Sequence, residues 1–402
     1  MNVSEQLSSV ESRLRAVPPH ALPATAGALL SEGFGAREVT LLLADYGLTV
    51  LQPVTLLPHT GEPVSAHDGP AGTAFTSQKP VVEITADPAT ELVHLPITVR
   101  GDRLGVLSVR LPAGSSDTAT VLGLGEFATA LGHEVATAGR DTDLYLQARR
   151  TRRLTLAAEM QWQLLPGRGC ARDEYTIGAH LEPAYAIGGD NFDWSTEADH
   201  LTVTVTDGMG QGIDASLLTG LTVSALRNAR RAGIGLADQA ALADQAVYAQ
   251  HGGKVYASTL LLRFDLDTGA VRAVDAGSPQ LYRLRDTAIE RIELTAQFPL
   301  GMFEETPYEE QTFQVEPGDR LVAISSGVHG TSSAAGDLFG EHGLRQILGA
   351  TRRTPPHETA RAVVAGLIEH TGSKDLATDA AVLCLDWAGR GAGAAEGTAG
   401  AV

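Results

Sequence analysis

The sequence predicts a two-domain α+β protein whose domains are joined by a helical segment. Residues 36–111 alternate short apolar or β-branched runs with turn residues, and residues 120–138 space their large apolar side chains as a helix does. Residues 141–165 contain neither glycine nor proline and are rich in helix formers. A second series of strands and helices follows over 167–388, and the length of 402 residues accommodates two domains.

The first domain is expected to occupy residues 1–140. Its most specific local signals are "ITVRGDRLGVLSV", which predicts a hairpin turning at Gly101-Asp102, and "GPAGTAFTSQKPVVE", which predicts a short helix leading into a strand. The linker helix over 141–166 spaces Ala157, Met160 and Leu164 three to four residues apart, so it could also form the seam of a homodimer.

The second domain alternates strands such as "HLTVTVTD", "ASTLLLRFDL" and "DRLVAISS" with helices predicted over 214–231 and 357–370. Residues 389–402 are rich in glycine and alanine and have almost no large apolar side chains, which predicts a disordered tail.

Composition excludes several classes of protein. The net charge of −18 argues against nucleic acid or an anionic membrane as the main partner. Only Cys170 and Cys384 occur, so neither a disulfide framework nor a cysteine zinc site is expected. No signal-peptide pattern and no run of 18 apolar residues is present, and we expect a cytoplasmic protein.

The segment "VTVTDGMGQG" carries the clearest chemical signal. An apolar, β-branched run ends at Asp207, and a glycine-rich turn begins at Gly208, so a carboxylate and an accessible backbone carbonyl meet at a strand end. Upstream, "AIGGDNFDW" again places an acid, Asp190, after two glycines, with Asp193 three residues later. Carboxylate and carbonyl oxygens are the ligands that Mg²⁺ and Mn²⁺ prefer. Each motif alone is more often an ordinary turn.

Taken together and in order, these motifs resemble the SpoIIE/RsbU branch of the metal-dependent PPM protein phosphatases. The matching segments are MQWQLLP (160–166), EPAYAIGGDNFDW (182–194), VTDGMGQGIDASLL (205–218), YASTLLLRFDLDTG (256–269), AGSPQLYRL (276–284), PLG (299–301), EPGDRLVAISSGV (316–328), LFGEHGL (338–344) and TDAAVL (378–383).

The resemblance implies an αββα sandwich with a two-metal site, Mn²⁺ or Mg²⁺, at one end. Asp207 would be the catalytic residue that bridges both ions, Gly208 would contribute its carbonyl, and Asp190 would support the site. The activity implied is hydrolysis of phosphoserine or phosphothreonine in a protein. The usual substrate of this branch is a phosphorylated anti-sigma-factor antagonist.

Two positions depart from the family pattern. Ser326 and Thr378 stand where the family usually has metal-binding aspartates, so two anionic ligands are replaced by neutral hydroxyls. Cation affinity depends strongly on the number of charged ligands, so one ion could replace two. Asp379 could substitute for Thr378 only if its side chain turned inward at the strand entrance. An active phosphatase and a pseudophosphatase that binds its partner without efficient turnover both stay open.

The first domain resembles a GAF domain in "PAGTAFTSQKPVVE" and "VHLPITVRGDRLGVLSVRL". The resemblance implies a sensor that binds a small ligand. In this arrangement the linker helix would transmit a change from the sensor to the phosphatase domain.

Overall fold

The structure is a computed structural model that describes residues 10–55, 61–150, 155–184, 188–277, 279–373 and 376–390. The chain forms two compact units, Met1–Leu154 and Thr155–Val402. Most of the tail predicted over 389–402 lies outside the described residues. No helix within the described ranges is both long and apolar enough to cross a membrane.

The first unit is built on one antiparallel sheet of six strands in the order β3-β2-β1-β6-β5-β4. The strands are β1 Glu38–Ala44, β2 Val50–Pro53, β3 Val64–Ser65, β4 Val81–Ile84, β5 Thr90–Val99 and β6 Asp102–Pro112. Its α-helices in the described residues include α1 Leu22–Phe34, α2 Gly69–Ser77, α3 Thr118–Ala138 and α4 Leu144–Ala148, and residues 10–15 are also helical.

Both faces of this sheet are buried, because successive side chains of a strand point to opposite sides. In β1, Leu41 and Leu43 join the larger core with α1, α3 and α4. Leu42 and Ala44 join a smaller core that includes Phe75 of α2. The predicted helix around 120–138 and the short helix before β4 are confirmed. The resemblance of this unit to a GAF domain stays a prediction.

The hairpin between β5 and β6 is present, but its turn lies one residue earlier than expected. Val99 pairs with Asp102, so Arg100 and Gly101 form the turn and Asp102 already belongs to the strand. Arg100 and Gly101 have φ values of +52° and +91°. Positive φ at both central positions is the requirement of a type I′ two-residue hairpin turn, and this geometry fixes the register.

The single helix expected over 141–165 is replaced by two helices in the described residues, α4 and α5 Leu156–Leu164. Arg149 and Arg150 follow α4 without helical structure. The physical reason is local: α4 buries its apolar residues in the first core, whereas Thr155 starts a new helix by accepting a hydrogen bond from Ala158 N at 3.2 Å. Ala157, expected in a dimer seam, is buried.

The second unit contains a five-stranded sheet, β15-β12-β11-β10-β9, and a six-stranded sheet, β14-β13-β16-β17-β8-β7. Its strands are β7 Gly169–Arg172, β8 Tyr175–Glu182, β9 Gly189–Thr196, β10 His200–Gly208, β11 Ala257–Asp265, β12 Ala270–Ala276, β13 Gln280–Arg285, β14 Ala288–Arg291, β15 Gln311–Gln314, β16 Arg320–Ile324 and β17 Ala380–Trp387. After α5, its helices are α6 Gly212–Arg231, α7 Leu236–His251, α8 Ser326–His329, α9 Gly343–Ala350 and α10 Pro356–Thr371.

Helices cover the outer face of each sheet. Apolar residues of α6 and α7 form one core with β11 and β12, and those of α9 and α10 form another with β16 and β17. The alternate residues of the same strands are also buried, for example Leu260 and Leu262 in β11 and Leu383 and Leu385 in β17. These side chains fill the space between the sheets, which confirms the predicted mixed α/β organisation. Helices predicted over 214–231 and 357–370 are confirmed within two residues.

Candidate functional site

Two aspartates meet at the ends of neighbouring strands in the five-stranded sheet. Asp190 of β9 pairs directly with Asp207 of β10. Side chains of directly paired residues lie on the same face of a sheet, with Cβ atoms about 5 Å apart. This is the face that carries Val205, which points between the two sheets. Asp190 is 3% exposed and Asp207 is half-buried, so the pair lies at the mouth of the inter-sheet space.

Glycines allow the strand ends to approach each other and α6. A Cβ atom on Gly208 would lie 2.5 Å from Oγ1 of Thr219, and one on Gly189 would lie 2.5 Å from the carbonyl oxygen of Gly208. Thr219 donates to the carbonyl of Gly189 at 2.7 Å, which fixes α6 against these strand ends. We call the strand ends that carry Asp190 and Asp207 the acidic corner. Any larger residue at position 189 or 208 would therefore move the backbone that carries the two aspartates.

The charge and hydrogen bonding of the Asp190 carboxylate indicate whether a cation would be stable at the corner. Burial raises the pKa of Asp190 well above its ordinary value, and the neighbouring charges of Asp207 and Asp379 raise it further. Its Oδ2 atom is buried and has no hydrogen-bond partner among the described residues. A buried oxygen without a hydrogen-bond donor, next to a second carboxylate, fits a divalent cation. The cation would supply the missing partner of that oxygen and reduce the repulsion between the two carboxylates.

Asp379 lies close to Asp190 and Asp207, and its carboxylate accepts hydrogen bonds from other residues. It is 1% exposed and points inward, and its carboxylate accepts from Nε2 of Gln161 and from the backbone N of Ala184, both at 2.8 Å. Burial raises the pKa of Asp379. In this arrangement the side chain fixes the backbone that leads into β9. Whether Asp379 also reaches a cation stays a prediction.

The two substituted positions, Ser326 and Thr378, lie next to residues of the corner. Ser326 is the first residue of α8, and its backbone N donates to Oδ2 of Asp207 at 3.3 Å. Thr378 is exposed, and its Oγ1 lies 2.9 Å from where a Cβ of Gly327 would be. In the described part of the chain, no three or more His, Cys, Asp or Glu side chains are grouped so that they could hold a metal ion. A cation held by Asp190 and Asp207 would therefore have few charged ligands.

Sequence reasoning missed two buried residues that organise the corner. Gln161 of α5 is 1% exposed, and its Nε2 also contacts the carbonyl oxygens of Gly188 at 2.9 Å and Asp190 at 3.3 Å. Ser325 is fully buried, and its Oγ accepts from the N of Ala381 at 3.0 Å. The one available signal was a glutamine on the apolar stripe of a helix, four residues after Ala157.

Asp193, the second acid of the upstream motif, faces the other way. It is three residues from Asp190, so its side chain lies on the opposite face of β9, toward α6. There it forms ion pairs with Arg227 at 2.7 Å and Arg230 at 3.0 Å. Arg227 also donates to the carbonyl oxygen of Leu164 at 2.7 Å. Asp193 therefore ties α6 and the end of α5 to the sheet and does not join the acidic corner.

Comparisons with known proteins find similarity over about half of the chain. Residues 197–388 match the family model of stage II sporulation protein E, SpoIIE. Protein IcfG of Synechocystis sp. is 20% identical over 220 residues, which cover 48% of this chain and 35% of IcfG, so the chain spans about a third of that relative's length.

Solved structures match this chain with similarly low sequence identity and over a similar share of its length. The SiaA-PP2C domain of Pseudomonas aeruginosa is 22% identical, with a TM-score of 0.47, over 52% of this chain and 85% of that domain. The RsbU and RsbW domains of Rv1364c from Mycobacterium tuberculosis are also 22% identical, with a TM-score of 0.47, over 54% of this chain and 61% of that one. Residues 197–388 of this chain are therefore similar to the SpoIIE family.

Proposed function

We propose that the second unit is a metal-dependent phosphatase of the SpoIIE/RsbU type that hydrolyses phosphoserine or phosphothreonine in a partner protein. The observation that carries the proposal is the buried, unpartnered Oδ2 of Asp190, next to Asp207. It supports a cation site at this corner, and residues 197–388, which include Asp207, match the SpoIIE family model. The neutral Ser326 and Thr378 imply weak cation binding and slow turnover.

Asp190, Asp207 and the carbonyl of Gly208 would hold the ion, Mn²⁺ or Mg²⁺, and a single ion is expected. When bound, such a cation neutralises charge on a phosphoryl group and lowers the pKa of water. The backbone N of Ser326 orients the carboxylate of Asp207. Gln161 and Asp379 hold the backbone before β9, so that Asp190 keeps its place in the corner.

A pseudophosphatase is the second candidate, and a specific observation favours it. Within the described residues, the corner lacks a group of three acids or histidines placed for metal binding, and Ser326 and Thr378 bring no charge. In that case the same corner would bind a phosphoprotein without releasing phosphate.

Hydrolysis of p-nitrophenyl phosphate by the full chain, with Mn²⁺ titrated in, separates the two candidates. For the phosphatase, activity rises with Mn²⁺ and is lost in Asp207→Asn, because the carboxylate is needed to hold the cation. Asp199→Asn is the matched control, since that side chain is 74% exposed and remote in the sheet register. Absence of Mn²⁺-dependent activity in the wild type would reject the phosphatase in favour of the pseudophosphatase.

The partners are proposed on similarity alone. The substrate would be a phosphorylated anti-sigma-factor antagonist, in keeping with relatives described as RsbU and RsbW domains and as a stressosome component.

The first unit would act as a GAF-like sensor for a small ligand, and the segment 141–166 could support a homodimer. Sedimentation of the full chain tests the dimer, and a monomer at all concentrations would reject it.

A further inference from the structure

The loop between β14 and β15 displays two large aromatic side chains to solvent. Phe298 is 55% exposed and Phe303 is 45% exposed. Their rings contact each other edge to face, with centroids 4.8 Å apart and an interplanar angle of 73°. We call Phe298 and Phe303 the aromatic pair. Exposed aromatic residues that already hold a fixed arrangement are typical of binding hot spots, because little side-chain entropy is lost on association.

The backbone of this loop is anchored on both sides. Leu300 exchanges two backbone hydrogen bonds with Ala257, at 2.9 and 3.0 Å. The N of Gly301 donates to the buried carboxylate of Asp244 at 2.7 Å. Gly301 has a φ of +86°, and a Cβ there would lie 2.1 Å from a methyl carbon of Val247, so only glycine fits. The aromatic pair therefore stands on a fixed base.

The anchored loop lies beside the acidic corner. Gly208 pairs with Ala257 in the sheet, and Ala257 forms the bridge to Leu300. Two steps between neighbouring strands separate the Cα atoms of Gly208 and Leu300 by about 10 Å. An extended peptide covers that distance in about three residues. A protein segment whose phosphorylated residue enters the corner would therefore extend to the backbone at Leu300, which lies between Phe298 and Phe303 in the chain.

Two negative charges adjoin the aromatic pair in the chain. Glu304 and Glu305 directly follow Phe303 and are exposed. Aromatic faces attract guanidinium and ammonium groups, and arginine can stack on a ring while it pairs with a carboxylate. This combination favours a cationic occupant over an anionic or purely apolar one.

We propose that the aromatic pair, with Glu304 and Glu305, is a docking surface for an arginine- or lysine-bearing segment of the phosphoprotein. The basic residue lies about three positions from the phosphorylated serine or threonine. The corner would bind the phosphorylated residue, and this surface would favour segments that also carry a basic residue nearby. This inference rests on the proposed function of that corner, and it makes a separate prediction about which phosphorylated segments bind.

Four fluorescent peptides test the surface by anisotropy with the full chain and Mn²⁺. They combine serine or phosphoserine with arginine or glutamine three positions away. The arginine peptides should bind about fivefold more tightly than the glutamine peptides, with or without phosphate. Phe303→Ala and Phe298→Ala should remove that difference and leave the affinity for glutamine peptides unchanged. Leu242→Ala is the matched control, because Leu242 is 44% exposed on α7, and it should change nothing.

The two contrasts separate this inference from the proposed function. The phosphoserine contrast reports on the acidic corner, and its absence would count against the proposed function alone. The arginine contrast reports on the docking surface. Equal binding of arginine and glutamine peptides would overturn the docking inference. So would an arginine preference that survives both phenylalanine variants, because the charge of the chain alone would then explain it. Loss of the preference in Glu304→Gln with Glu305→Gln would support it.

Discussion

Replacing Asp193 with asparagine removes a buried charge on which three hydrogen bonds depend. The carboxylate is 2% exposed and accepts from Arg227 at 2.7 and 3.2 Å and from Arg230 at 3.0 Å. Removing one partner of a buried ion pair costs about 3–5 kcal/mol. The arginine side chains keep 24% and 14% exposure, so water compensates in part. We expect Asp193→Asn to lower the free energy of unfolding by about 2–3 kcal/mol.

Tryptophan fluorescence measures this loss in the full chain. All three tryptophans, Trp162, Trp194 and Trp387, belong to the second unit, so a urea titration followed by their emission reports on that unit. With a urea dependence of about 2–3 kcal/mol/M, the midpoint should fall by roughly 1 M. Asp199→Asn, at an exposed position, should stay within about 0.5 kcal/mol of the wild type.

The same variant separates a structural role for Asp193 from a role in the acidic corner. Because its side chain faces α6, Asp193→Asn should leave the Mn²⁺ affinity of the folded protein unchanged in isothermal titration calorimetry. A variant that lost Mn²⁺ affinity but kept the wild-type urea midpoint would refute the placement of Asp193 on the helix side of the sheet.

Three further predictions concern the corner and its surroundings. Ser326→Asp with Thr378→Asp should tighten Mn²⁺ binding at least about tenfold by calorimetry, since two charged ligands are added; an unchanged dissociation constant would contradict this. Gln161→Ala should lower the free energy of unfolding by about 1–3 kcal/mol in the urea titration, because the buried carboxylate of Asp379 loses a hydrogen-bond donor. An unshifted urea midpoint would show that this hydrogen bond does not contribute to stability. Burial raises the pKa of Asp275 to about 6, so the folded state is disfavoured as the pH rises through that value. Asp275→Asn should then match the wild type near pH 4 and exceed its stability by about 1–2 kcal/mol at pH 7.5, and a gain equal at both pH values would refute that cause.

Much of the fold was predictable because local patterns and burial agree. The alternation of apolar residues in β10 and the glycines after Asp207 indicated a strand that ends at a turn, and the structure has both. The linker was less predictable. Helix propensity favours one continuous helix over 141–165, but α4 gains more by burying its side chains in the first core, and Thr155 begins a separate helix.

The candidate site was predictable only in part. Asp190 and Asp207 could be paired from their motifs, and the structure places them opposite each other. The direction of Asp379 and the part played by Gln161 could not be deduced, because both depend on contacts between segments about 200 residues apart. A side chain at a strand entrance can turn either way until its neighbours supply donors.

The sequence by itself determined which residue types stand at each strand end: acids at 190 and 207, glycines behind them, and hydroxyls at 326 and 378. It also determined that Asp190 and Asp193 lie on opposite faces of one strand, because side chains alternate. Only the tertiary structure decided which face meets the second sheet and which meets α6, since that choice depends on how whole layers bury their apolar surface. That packing places Asp190 in the corner with Asp207 and Asp193 between two arginines.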